Sequence, residues 1–460
     1  MYLNIIELMD RAMNTGPKME VRDFDMKVYK ETTRLVKKYG IKFDKDNVVN
    51  MDDDMADRLF QAGKEFYLSM GTYTMETKRI IQFTEAEINK IMSELPKEIV
   101  IGQGKDQRIM RCRNVESSIL PTIQGGVIGG KATENMLVPL YQSIAQEKLV
   151  DSFYFDPPHV IEGRPVMFGS PLEIYAARIT AVKIREVLQK VGRSGMHLLG
   201  GAGSALADIS TCWEGGIRQT DGICSHTTSE LKTDLDALNK IMHTIQYDCC
   251  RQVWWAPVIG AFAGGAEGSA VAAVGGFFHA VLIGQAHLGA AYLDLQVTPY
   301  YNAGATDRMS LWILSAAGQA IVRNCNAILQ GTITTSAGPG TKLMLYEIAA
   351  SVLAQTVSGY HIFGVRIHKP TKDNHGTGLE SRWAAEVSRA AVKLDRREVN
   401  DKINKLFERY ESFIGKAPEG YSFEELYDVV RVTPSEEYLK IYEEVKKELY
   451  GLGIPFENMA

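Results

Sequence analysis

The period of apolar and polar positions changes twice along this chain. Over residues 1–98 it is helical. VRDFDMKVYKETTRLVKKYG carries apolar side chains three and four residues apart and meets a stop at Gly40. DDDMADRLFQAGKEFYLSM opens on an acidic run and keeps that period, and TEAEINKIMSEL predicts an amphipathic helix with Thr84 as its N-cap. From Ile99 onward, short apolar runs ending in Gly, Pro or Asp alternate with helical stretches. The predicted strands are EIVIG, LPTIQGG, DSFYFDPP, GMHLLGG, RQVWWAPV, LDLQVTPYY, QGTITTSAGP and GYHIFGV. Each intervening helix must carry the chain back over the sheet, so the strands are expected to be parallel. Eight of them close into a TIM-type (β/α)8 barrel, an α/β fold. EIVIG is the weakest strand; its pairing with RIMRCR as a hairpin cap would change the count by one. An open, doubly wound sheet is the alternative architecture. From about residue 396 the pattern turns polar and helical again, in VNDKINKLFERYESF and SEEYLKIYEEVKKELYGLG. The expected organisation is an N-terminal helical region (1–98), a TIM-type barrel (99–395) and a C-terminal helical subdomain (396–460).

Composition narrows the function. The 460 residues are 45% hydrophobic and 23% charged, which is ordinary for a large globular core. A net charge of −5 points to neither nucleic acid nor an anionic membrane. MYLNIIELMDRAMNTG carries acids early and has no long apolar run, so no signal peptide is expected. The most apolar stretch, Val253–Leu293, is interrupted by Gly pairs, Glu267, His279, Gln285 and His287. It reads as buried strand and helix rather than a membrane span. The six cysteines form no C-x-x-C pair and are expected to be reduced, in a cytoplasmic protein.

Barrel chemistry sits where strands end and loops begin. Those exits are Gln124–Gly126, Asp156–Pro158, Leu199–Gly203, Trp254–Trp255, Pro299–Asn302, Thr332–Gly338 and Arg366–Lys369. The Gly pairs 125–126, 129–130, 200–201, 264–265 and 275–276 are expected to be tight βα turns, since no phosphate-binding G-x-x-x-x-G-K-[ST] occurs. Asp373-x-His375-x-x-Gly378 matches a cobalt-ligating histidine pattern, but only helix follows it, so coincidence is the reading preferred. A zinc site from Cys212, Cys224, His226 and Glu230 has unusual spacing. Cys249 and Cys250 start a strand at the opposite end, and His361 and His368 read as ordinary polar residues. Trp254-Trp255 lies in the fifth strand and Tyr300-Tyr301 leaves the sixth. Alternation sends one tryptophan inward, where with a tyrosine it could cage a cationic methylammonium group. Core packing is the plainer reading of these rings.

KKYGIKFD, TIQGG, GRSGM, SELKTDLDAL, AFAGGAEGS, SAGPGT and the tail KAPEGYSFEELYDVVRVTPSEEYLKIYEEVKKELYGLGI resemble the monomethylamine:corrinoid methyltransferases of methylotrophic methanogens, in order and spacing across the whole chain. The resemblance implies a TIM barrel that assembles into a homo-oligomer. It also implies a small methylated substrate and a separate, cognate corrinoid protein that supplies the cofactor, with none bound covalently here. In that family the substrate adds to the imine of pyrrolysine, flanked by glutamates and a glutamine. Ungapped matching puts Leu199 at the pyrrolysine position, Cys224 and Trp254 at the two glutamates, and Thr332 at the glutamine. No catalytic residue therefore carries over.

The expectation is a pyrrolysine-free methyltransferase. Leucine cannot bind an amine covalently, so the donor must be activated already, as a quaternary or sulfonium methyl is. Trp254 with Tyr300 or Tyr301 would form the cage, Cys224 and Thr332 would be polar groups of the pocket, and Leu199 its floor. Zinc-dependent transfer from an alcohol, ether or thioether, and a non-catalytic scaffold that binds the corrinoid protein, are the alternatives.

Overall fold

The computed structural model describes residues 5–128, 131–201, 203–301, 304–367 and 372–457. Asn302, His368, Lys369 and the Gly129-Gly130 pair lie outside the described residues.

Eight parallel strands form the centre. They are β1 (Gln124–Gly125 and Val127–Ile128), β2 (Ser152–Tyr154), β3 (His197–Gly200), β4 (Gly222–His226), β5 (Cys250–Trp255), β6 (Ala291–Leu295), β7 (Leu329–Thr335) and β8 (His361–Ile367). Neighbours in this order are hydrogen-bonded. The ring closes because β1 pairs with β2 through Gln124–Gly125 and with β8 through Val127–Ile128. Gly126 between the two halves has φ +150, and a Cβ there would lie 3.1 Å from the Tyr154 carbonyl, so the hinge that lets one strand serve two neighbours needs glycine. The TIM-type (β/α)8 barrel expected from alternation is the fold observed, with helices around it.

Two errors in the strand assignment cancel. EIVIG is not a barrel strand: Glu98–Ile101 pairs antiparallel with Arg108–Arg111, as the hairpin alternative had it. The eighth strand is Gly222–His226, which alternation missed. GICSH is short and carries Gly, Cys, Ser and His in place of a β-branched run, so its strand character comes from closure of the ring and not from propensity. The hairpin plugs the barrel's N-terminal end, where Ile99, Ile101 and Met110 pack in one buried cluster with Cys250, Tyr292 and Ile328. His361 ties plug to ring. Its Nδ1 accepts from the Thr122 N–H at 2.8 Å and its Nε2 donates to the Arg111 carbonyl at 2.9 Å.

The flanking helices belong to the same core. Val21–Tyr39 ends in left-handed Gly40, and Glu85–Ser93 starts with a capping box between Thr84 and Glu87. Asp53–Met70 packs on Ala266–Ile283, the barrel helix that is long and apolar enough to cross a membrane but is 94% buried. Gly275-Gly276 lies inside that helix and is not a βα turn. A Cβ on Gly275 would come within 2.4 Å of Phe66, and one on Gly276 within 2.2 Å of Trp255, so small size is what these positions supply. At the other end of the chain Trp383 stacks on Phe456 and meets Tyr442 edge-on, docking the last helix, Glu436–Gly451.

Burial pushes the His361 imidazole down to about 3, so it stays neutral in the folded protein while the unfolded chain protonates near 6.5. Its contribution to stability is therefore complete above pH 6.5 and is lost as pH falls toward 3. His361→Gln keeps a donor and an acceptor but cannot titrate. Urea unfolding between pH 6.5 and 4 is expected to show the acid-side slope reduced by about 1.4 kcal/mol per pH unit in this variant. An unchanged slope would mean that His361 is not held neutral.

Candidate active site at the barrel mouth

Alternation along the closed ring decides which side chains reach the axis. On β4, Cys224 and His226 point inward and Ile223 and Ser225 outward. On β5, Trp254 points inward, while outward-facing Trp255 donates from Nε1 to the Ala273 carbonyl at 2.9 Å. The register places His226 beside Trp254 and Trp254 beside Asp294. At the C-terminal ends of the strands these side chains form two layers.

The lower layer is sealed. Leu199, Cys224, Tyr154 and Phe363 share one buried cluster, with Trp254 packed against it. Asp294 and Thr332 are buried beside them, and the Thr332 hydroxyl donates to the Asp294 carboxyl at 2.7 Å. Burial holds the Asp294 carboxyl far above the usual carboxylate range, so it is protonated at neutral pH, and its Oδ1 has no partner among the described residues. Burial raises the Cys224 thiol well above its ordinary range, which removes thiolate chemistry there. Gly201 closes this layer. With φ +138 it approaches Cys224 so closely that a Cβ would sit 2.6 Å from the Cys224 carbonyl oxygen.

Above it is a recess open to water. His226 is exposed although it stands inside the ring, and Trp254 and Arg366 are half-buried. The imidazole Nε2 lies 3.6 Å from Cys224 Sγ, and the ring meets Trp254 edge-on at 5.2 Å. Desolvation by the surrounding wall, then the positive charges of Lys240 and Arg366, lower the His226 imidazole below its ordinary range, so it is neutral at neutral pH although one edge meets water. Trp254 Nε1 donates to Gln296 Oε1 at 3.2 Å, which fixes the indole plane. Tyr154 and Asp156, at the end of β2, are buried and hydrogen-bonded to each other. Glu347 anchors the turn after β7, accepting from the N–H groups of Ser336 and Ala337 at 2.6 and 3.0 Å.

The expected site residues fall into three groups. Leu199, Cys224, Trp254 and Thr332 come together, but only Trp254 borders the recess; Leu199, Cys224 and Thr332 lie beneath its floor, at most 2% exposed. Tyr300 and Tyr301 do not form a cage. They are 81% and 55% exposed, because Thr298–Pro299 pairs with Val258–Ile259 in a two-stranded rim beyond the ring and carries both tyrosines past it. The ring beside Trp254 is His226. The zinc set does not converge either. Cys224 and His226 are neighbours, but Cys212 sits against Cys249, and Glu230 accepts from the Val258 N–H at 3.1 Å behind the strands. Among the described residues no group of three or more His, Cys, Asp or Glu could hold a metal ion. His375 is buried, and Gly378 opens a helix. Arg366 is legible in the sequence as part of a strand exit and His226 as a zinc candidate, but neither is assigned there to the substrate pocket. Once GICSH is known to be a strand, two-residue alternation from Cys224 finds His226.

An eight-stranded barrel with a small polar and aromatic recess at its C-terminal mouth is the architecture of barrel enzymes that act on small molecules. The family model for monomethylamine methyltransferase MtmB matches residues 3–454. Monomethylamine methyltransferase MtmB2 of Methanosarcina barkeri is 34% identical over 463 residues, covering 99% of each chain, and MtmB2 of Methanosarcina acetivorans is 34% identical over 97% of each. The crystal structure of the M. barkeri monomethylamine methyltransferase superposes with a TM-score of 0.93 at 32% identity over 98% of both chains. The same figures hold for its hydroxylamine complex. This chain belongs to the monomethylamine methyltransferase family.

The sealed layer makes a separable prediction. Thr332→Val leaves the Asp294 carboxyl without its hydroxyl partner and is expected to cost about 1–3 kcal/mol in denaturant unfolding. Asp294→Asn replaces a protonated acid by a neutral isostere and is expected to cost less. If Asp294→Asn proves the more damaging change, the carboxyl is ionised in the fold.

Proposed function

We propose that this chain is a pyrrolysine-independent methyltransferase that moves a methyl group from a small, already cationic donor to the reduced corrinoid of a separate protein. The observation that carries the reading is the neutral aromatic wall of the recess, Trp254 against His226, standing above Leu199. Leu199 offers no electrophile to an amine. Cys224 and His226 are both held neutral, so neither is an anionic nucleophile or a cationic acid. What the wall does offer is a face of electron density to a methylated cation, worth about 0.5–2 kcal/mol per ring.

A donor carrying its own positive charge needs little more. The acceptor's electron pair forms a bond to the methyl carbon as the C–N or C–S bond breaks, and that bond's pair stays on nitrogen or sulfur as the positive charge disappears. No proton moves. A donor that displaces water from the recess as it binds favours the step, because charge is lost during it. The residues of this chain bind the head group, turn one methyl toward the mouth and keep solvent back. Family resemblance supports the partner-supplied corrinoid, the cytoplasmic location and assembly as a homo-oligomer.

The test is methylation of reduced cobalamin by the purified chain with a panel of quaternary ammonium, sulfonium and lower methylamine donors. A quaternary or sulfonium compound is expected to methylate cobalt while monomethylamine does not. Trp254→Leu is expected to lower kcat/KM for that donor about 5- to 30-fold, the equivalent of one such cation–ring contact. Monomethylamine as the preferred donor overturns the reading. So does the absence of transfer from any donor when a pyrrolysine-containing family member works under the same conditions, an outcome that favours a non-catalytic scaffold.

A further inference from the structure

The recess contains a positive charge that the aromatic wall does not explain. Arg366 lies near the end of β8 and is half-buried inside the ring. In a ring of eight strands β8 stands opposite β4, so Arg366 faces His226 and Trp254 across the mouth. Its charge is felt at His226, and it in turn feels Tyr154 and Asp156. Burial lowers its pKa, yet a guanidinium stays protonated.

The other charges around the recess are engaged. Lys240 is held by Asp208 at 2.8 Å, by Asp236 at 3.5 Å and by the Gly203 carbonyl at 2.6 Å. Lys131 Nζ lies 2.8 Å from His159 Nδ1. Asp156 is hydrogen-bonded to the Tyr154 hydroxyl. The Arg366 side chain makes no hydrogen bond or ion pair among the described residues. A half-buried guanidinium whose donors are not taken up by protein groups is open to an anion from solution, and its planar fork suits a carboxylate. A donor that is only a cation would be repelled by it.

We propose that Arg366 holds a carboxylate of the methyl donor, so that the substrate is a small zwitterion with its methylated cationic end on Trp254 and His226 and its anionic end on β8. This rests on the methyl-transfer reading above and narrows it to methylated ammonium carboxylates. Arg366 is then the specificity-determining residue, and bridging of the mouth by the two charges orients the methyl group.

The experiment is calorimetric binding to the full chain without cobalamin. The probes are trimethylammonium carboxylates with one, two and three methylenes between the charges, with choline and acetate as controls. One member of the series is expected to bind at least about tenfold more tightly than choline or acetate. Arg366→Gln should remove that advantage without weakening choline binding, which loses a repulsion, while Arg366→Lys should retain part of the advantage; circular dichroism checks that both variants fold. Choline binding as tightly as every carboxylate, acetate binding as tightly as the zwitterions, or unaltered zwitterion binding by Arg366→Gln each overturns the proposal. The cobalamin assay with the same compounds separates the two readings. Equal methyl transfer from choline and the carboxylates keeps the methyltransferase reading and removes the role of Arg366. Arg366-dependent zwitterion binding with no transfer keeps the carboxylate site and removes methyl transfer.

Discussion

Closure of the ring through residues 123–128 is the constraint on which the rest of the structure depends. One strand, hinged at Gly126, pairs with β2 on one side and with β8 on the other. Once the ring is closed, the inside and outside of every strand are fixed, because side chains alternate and a slip of one residue would turn each strand over. The same closure brings β4, β5 and β8, separated by long stretches of chain, to a common mouth. The recess is thus a consequence of register, and its chemistry is set by the residues that the register turns inward.

Those residues make an environment that is neutral where the family resemblance implied reactive groups. Asp294 is protonated and Cys224 is a thiol because the barrel withholds water from them, and His226 is an uncharged imidazole because the wall around it and the positive charges of Lys240 and Arg366 disfavour its protonation. Desolvation therefore does two things. It silences the acid–base chemistry of the lower layer, and around the half-buried Trp254 and Arg366 it strengthens the interactions left in the upper one.

The sequence made the barrel legible because helices of clear period separate short apolar runs, and because capping residues such as Thr84 and Gly40 mark helix ends by local physics. It hid β4, since GICSH is a strand only by virtue of its neighbours, and it exchanged the plug hairpin for a ring strand, since EIVIG has the right local composition. Trp254 was legible as an inward aromatic residue from two-residue alternation. Its partner was not. Tyr300 and Tyr301 follow a strand end just as a pocket residue would, but an extra pair of bridging strands carries them into solvent. The depth of Leu199, Cys224 and Thr332 beneath the recess floor was also out of reach, because alternation gives the face a side chain takes and not the layer it reaches.

The central claim is that a cationic methyl group rests on the Trp254–His226 wall at the barrel mouth. The most direct measurement is a crystal structure of the chain with a quaternary donor bound. The account predicts the charged nitrogen over the indole face, in van der Waals contact, with a methyl group pointing out of the mouth and Leu199 still covered. A donor seated elsewhere, or a recess filled by rearranged side chains with Trp254 turned out of the ring, would contradict it.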